Sequence, residues 1–230
     1  MHRGLKGVVL STVAILCVFG FAPPSVGQNP QITVSVFSDV PVSADLLGRA
    51  EQRAQEVFSI AGVDIDWINC TPAADGASDA ACTRSYGPND FALRITSHGS
   101  NATSDNAFGV AFLGSEGRGR YADVFWNRAQ EFDARSHGRL DQILGTVMAH
   151  EMGHLLLGLN SHSISGLMRA RWGNDELHRI DMGALLFLPE QGKRMRSRIA
   201  DASSAQVSSA PDRHAGFVAL RRADGRSSQP

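Results

Sequence analysis

Residues 140–157, LDQILGTVMAHEMGHLLL, constrain this chain more than any other stretch. Ile143, Val147, His150, His154 and Leu157 recur on one stripe at helical periodicity, and Leu144, Met148, Leu155 and Leu156 make much of the remainder apolar. A helix that is apolar nearly all round is a buried helix. Two histidines and a glutamate carried into such an interior must find partners, because unpaired polar burial is costly. His150 and His154 are four residues apart, which stacks two imidazoles one turn apart on one face, where both can hold one metal ion. Glu151 projects about 100° round the helix from His150. From there it can reach a water bound to the metal without ligating the metal itself. A third ligand must come from elsewhere. His162, beyond Gly158, is the nearest candidate, and Glu176 on a downstream helix is its rival.

The rest of the chain supplies a fold around that helix. Gln31–Ser38 alternates apolar and polar residues and predicts a strand; Pro41 and Ser43 open a helix that runs to Ile60 and ends at Gly62; Val63–Cys70 alternates again. Strand, helix, strand in that order predicts a right-handed crossover and a parallel pair. Further strands are expected at Phe91–Ser97, Ala107–Leu113 and Tyr121–Trp126, with Gly109 as a bulge or a point of close approach. Residues 127–137 read equally as loop or short helix. After His162 come Met168 and Trp172, a helix expected from Glu176 to Phe187, and another from Pro189 to about Ala202. The basic run Lys193, Arg194, Arg196, Arg198 reads as a solvated face that also suits a helix C-terminus. Asp123 and Asp181 are weaker candidates as acceptors for an imidazole N–H, while His98, His137, His178 and His214 read as surface or capping residues. The class is therefore α+β, with an α/β-like opening and about five strands.

The chain has 230 residues and a net charge of −1, which favours neither nucleic acid nor an anionic membrane as a partner. His2, Arg3 and Lys6 precede an apolar run from Val8 to Ala22, and small residues follow to Gly27. That pattern predicts a removed signal peptide over residues 1–27, a functional domain over 28–202 and a mobile tail over 203–230, in a protein that is secreted or periplasmic and not stably inserted in a membrane. Cys17 leaves with the signal. Cys70 and Cys82 then form an even pair, expected to be bridged in an oxidising compartment.

His150-Glu151-x-x-His154, Gly158, His162 and Met168 together resemble the metzincin clan of zinc metallopeptidases, and SHSxxGLM is similar to the stretch after the zinc helix in matrixin-like members. The resemblance covers roughly residues 31–187. It implies a twisted mixed sheet with a backing helix, the HExxH helix, a methionine turn beneath the metal and a small helical C-terminal subdomain. The spacing departs from the clan's HExxHxxGxxH, since three residues separate His154 from Gly158 and three more separate Gly158 from His162. No tyrosine follows Met168 in the Met-x-Tyr arrangement, and no propeptide with a cysteine switch is identifiable before the first strand.

The resulting expectation is an exported, monomeric zinc endopeptidase acting on peptides or proteins. His150, His154 and His162 would hold Zn²⁺, and Glu151 would be the general base for a metal-activated water. The alternative from another class is a non-catalytic, zinc-stabilised binding domain. Retention of Glu151 argues against it, because a structural site does not need that carboxylate.

Overall fold

The computed structural model describes residues 28–71, 80–99, 107–134 and 139–209. The expected signal peptide, residues 100–106, His137 and the chain beyond 209, including His214, lie outside the described residues. Among the described residues no helix is long and apolar enough to cross a membrane.

The first three elements are β1 (Gln31–Ser38), α1 (Ala44–Ile60) and β2 (Asp64–Asn69). Ser43 caps α1, its hydroxyl accepting from the Leu46 N–H at 3.3 Å. Gly62, at φ 77°, turns the chain out of α1 in a conformation that favours glycine. β1 and β2 pair in parallel, as the order of elements predicts. β3 (Asp90–Thr96), β4 (Gly109–Phe112) and β5 (Tyr121–Phe125) complete a five-stranded sheet in the order β2-β1-β3-β5-β4. All pairings are parallel except β4 with β5, so β4 is an antiparallel edge strand.

Register explains the core. Val34 aligns with Phe91 and Val36 with Leu93 across β1 and β3, and Leu93 aligns with Ala122 and Ile95 with Val124 across β3 and β5. All of these side chains are buried, so one face of the sheet is a continuous apolar surface. Two helices contribute to the same core. α1 buries Leu47, Ala50, Ala54, Val57 and Phe58; α3 (Leu140–Leu157) buries Ile143, Leu144, Val147 and Met148. They cross closely: a Cβ on Gly145 would lie 2.2 Å from the Ala50 carbonyl oxygen. Arg49 of α1 and Asp141 of α3, 3.3 Å apart, tie the helices at their polar rim.

Residues 126–133 resolve as a short helix, α2 (Trp126–Asp133), which buries Ala129 and Phe132. The helix expected to reach Phe187 stops earlier, as α4 (Asn174–Asp181). Gly183, at φ 68°, donates to the Ile180 carbonyl and Ala184 donates to that of Arg179, which closes the helix end. The chain then runs without helix to Leu188, burying Leu185 and Phe187, and Leu186 accepts from the Leu167 N–H at 2.8 Å. α5 (Pro189–Ser209) continues past Ala202, so the start of the expected tail is helical.

The basic run on α5 is not simply a solvated face. Arg194 donates to the Leu157 carbonyl at 3.1 Å, Arg198 donates to those of Leu156 at 3.4 Å and Gly117 at 2.9 Å, and Arg196 donates to that of Ala61. These guanidiniums cap the C-termini of α1 and α3, where carbonyls lack helical partners and positive charge is favoured.

Cys70 and Cys82 are bridged, with Cα atoms 5.5 Å apart. Peptide mapping of protein made in an oxidising compartment is expected to recover the two cysteines linked, with neither open to alkylation before reduction. Two alkylated cysteines would contradict the pairing.

Candidate metal centre

α3 carries both histidines of its motif toward one cleft. His150 is buried, at 9% exposed, and Glu151 at 4%, while His154 is half-buried. The helix ends at Gly158, whose N–H donates to the His154 carbonyl at 2.9 Å. Gly158 has φ 83° and ψ −159°, a region essentially confined to glycine, and a Cβ there would meet the Gly117 carbonyl oxygen at 2.9 Å. Asn160 is also left-handed, at φ 55°. Two positive-φ residues within three positions fold the lengthened loop back on the helix. That reversal brings in His162, which is exposed to solvent.

One ring nitrogen from each of His150, His154 and His162 lies within 4.8 Å of the others. The His162 ring centroid is 4.7 Å from that of His154 and 5.7 Å from that of His150. Glu176 is placed elsewhere: one carboxylate oxygen is 2.7 Å from Arg169 and the other accepts from the Gly173 N–H at 2.9 Å. Burial works to raise its pKa, but those two donors hold it below the ordinary carboxylate value.

The outer ring nitrogens are held by groups with little or no signal in sequence. His150 Nδ1 is 2.9 Å from the Leu167 carbonyl, and His154 Nδ1 is 2.7 Å from the Ser161 hydroxyl. Asp123 and Asp181 do neither job; Asp123 instead accepts from the Tyr121 hydroxyl at 2.5 Å. A carbonyl can only accept, so His150 carries its proton on Nδ1 and presents a bare Nε2. The Ser161 hydroxyl can accept likewise and leave Nε2 of His154 bare. The two Nε2 atoms are 3.1 Å apart. Two zinc-bound nitrogens at about 2.0–2.1 Å in tetrahedral arrangement stand about 3.3 Å apart. The pair is thus spaced as one metal ion requires.

Electrostatics point the same way. Burial, partly opposed by the Leu167 carbonyl and reinforced by His162, lowers the His150 pKa to about 4. Burial with the neighbouring His150 and His162 lowers His154 to about 3, and burial also lowers His162. All three are neutral at neutral pH, the state a metal ligand needs. Burial raises the Glu151 pKa to about 8. A cation beside it would favour the carboxylate again. The donor set, its spacing and its protonation all fit Zn²⁺.

The cleft around these groups encloses about 570 Å³. Edge strand β4 forms one wall. A Cβ on Gly109 would lie 2.4 Å from the Asp123 carbonyl oxygen and 2.6 Å from Glu151 Cγ, so Gly109 is the point of close approach that admits the Glu151 side chain. Gly109→Ala is expected to cost about 1–3 kcal/mol through overpacking. Denaturant unfolding checks this, and an unchanged midpoint would contradict the contact. Met168 is fully buried, and its sulfur occupies the space that a Cβ on Gly153 would enter, at 2.6 Å. Trp172 packs its ring edge-on to His150, with centroids 5.4 Å apart.

No protein-family model matches the chain, and no curated protein matches it. Among solved structures, it is similar to archaemetzincin from Methanopyrus kandleri at 17% identity, over 76% of this chain and 99% of that one, with a TM-score of 0.47. It is also similar to a zinc-dependent peptidase from Methanocorpusculum labreanum at 17% identity, over 70% of this chain and 99% of that one, with a TM-score of 0.46. Likenesses this distant transfer no function.

Proposed function

We propose that this chain is an exported zinc-dependent endopeptidase with His150, His154 and His162 as ligands and Glu151 as general base. The observation that carries the reading is the meeting of three neutral imidazoles, within 4.8 Å of one another, in a cleft that also receives Glu151. Zinc held there would polarise a scissile carbonyl and lower the pKa of a bound water to about 7.

The residues of the chain do the rest. Leu167 and Ser161 orient the two helical imidazoles. Glu151, which packs against Gly109, takes a proton from the attacking water and passes it to the leaving amine in this reading. The outer edge of β4 has no strand beside it among the described residues, and an extended peptide can add there by main-chain hydrogen bonds. The Cys70–Cys82 bridge supports export, as does the leader-like sequence of residues 1–27.

The test is digestion of unstructured peptides blocked at both ends. The zinc-loaded chain is expected to cleave internal bonds, and a chelator is expected to stop it. Cleavage that ignores the chelator would overturn the reading.

A further inference from the structure

The wall of the cleft is basic and aromatic. Besides Glu151 and the three histidines, the charged side chains lining it are Arg128, Arg169 and Arg171. They differ in what already holds them. Arg169 is 2.7 Å from Glu176. Arg128 is paired with Glu131 through one terminal nitrogen, its guanidinium carbon lies 5.9 Å from the Phe108 ring centroid, and its Nε is buried with no acceptor. Arg171 is exposed, and among the described residues no ion pair engages it.

The carboxylates that pair with Arg128 and Arg169 do not line the cleft, and Arg128 meets Glu131 through one terminal nitrogen only. Among the described residues, the lining holds a single acid, Glu151, and that group serves the metal site. Arg171 immediately precedes Trp172, whose ring stacks edge-on against His150, and both residues line the cleft together with the proposed metal ligands. Phe108 and Trp172 pack together with centroids 5.4 Å apart. This apolar shelf lines the same cleft as Arg171, and apolar walls lower the local dielectric and strengthen a charge pair formed between them. A guanidinium binds a carboxylate through two parallel N–H donors, whereas a lysine or arginine entering the same space meets like charge.

We infer that the substrate carries an aspartate or glutamate side chain next to the scissile bond, received by Arg171 with Arg128 as the second cation. This rests on the peptidase reading of the cleft. It names the substrate class that the reading leaves open.

The test uses the full zinc-loaded chain and matched peptide sets that differ only in carrying Glu, Gln or Lys at each position flanking the cleaved bond. At one of those positions Glu is expected to exceed Gln in kcat/KM on the order of tenfold, with Lys below both. Arg171→Glu is expected to invert the order, and Arg171→Gln to bring Glu and Gln level. Affinity for the same peptides, measured by fluorescence anisotropy on the zinc-loaded Glu151→Gln chain, gives a readout that needs no turnover. Equal kcat/KM for Glu and Gln peptides, or an order unmoved by either Arg171 variant, overturns the inference. Acid-selective binding that Arg171→Glu inverts, with no peptide cleaved by the unsubstituted chain, would uphold the ligand class and sink the peptidase reading. Absence of both cleavage and acid-selective binding overturns the inference as well.

Discussion

Glu151→Gln is expected to lower peptide hydrolysis by about 10²–10⁴-fold while leaving zinc bound and the fold intact. The reason lies in where the carboxyl stands. Glu151 is on the cleft-forming helix beside His150, but the three nitrogens that come together belong to His150, His154 and His162. An amide of the same shape fits against Gly109 as the carboxyl does, so the exchange removes the proposed base and little else. Zinc content by atomic emission and far-ultraviolet circular dichroism should match the unsubstituted chain. Loss of zinc from this variant would show that Glu151 is a ligand and not a base.

The second large effect concerns the third ligand. His162→Ala is expected to weaken zinc binding by more than about 100-fold, beyond the 10–100-fold usual for loss of a residue that merely orients a ligand. Glu176→Ala should leave the affinity within about twofold of the unsubstituted chain, since Glu176 is spent on Arg169 and the start of α4 and is not among the residues that converge. Titration of both variants against a competing chelator separates the readings. A Glu176→Ala chain that loses zinc while His162→Ala keeps it would reverse the assignment.

Much of this site was legible because its defining residues are local. His150, Glu151 and His154 sit within one helical turn of a segment whose apolar pattern announces a buried helix. His162 could be reached from sequence because Gly158 marks where the chain turns. The structure adds that Asn160 shares the reversal, which absorbs the longer loop. The strands were legible for a similar reason, as their alternation is a short-range signal and their order along the chain limits the pairings.

What was not legible is non-local. The carbonyl that orients His150 belongs to Leu167, and a backbone oxygen leaves no mark in a side-chain pattern. Arg194, Arg196 and Arg198 read as a solvated face because nothing in their own neighbourhood reveals that the helix ends they cap belong to α1 and α3. The end of α4 was misplaced at Phe187 because Leu185, Leu186 and Phe187 suit a helix or an extended run equally well. Gly183 decides between them only through its positive φ. Arg171 and Trp172 carried no functional signal until the fold set both in the lining of the cleft that holds His150.

The most direct test of the central claim is zinc add-back. The chain is stripped with a chelator, exchanged into metal-free buffer and titrated with zinc while hydrolysis of a blocked peptide is followed. Hydrolysis is expected to be absent at the start, to rise in proportion to added zinc and to level off at about one equivalent per chain, the capacity of one three-histidine site. Hydrolysis by the stripped chain, or a zinc-saturated chain that cleaves no peptide, would contradict the account.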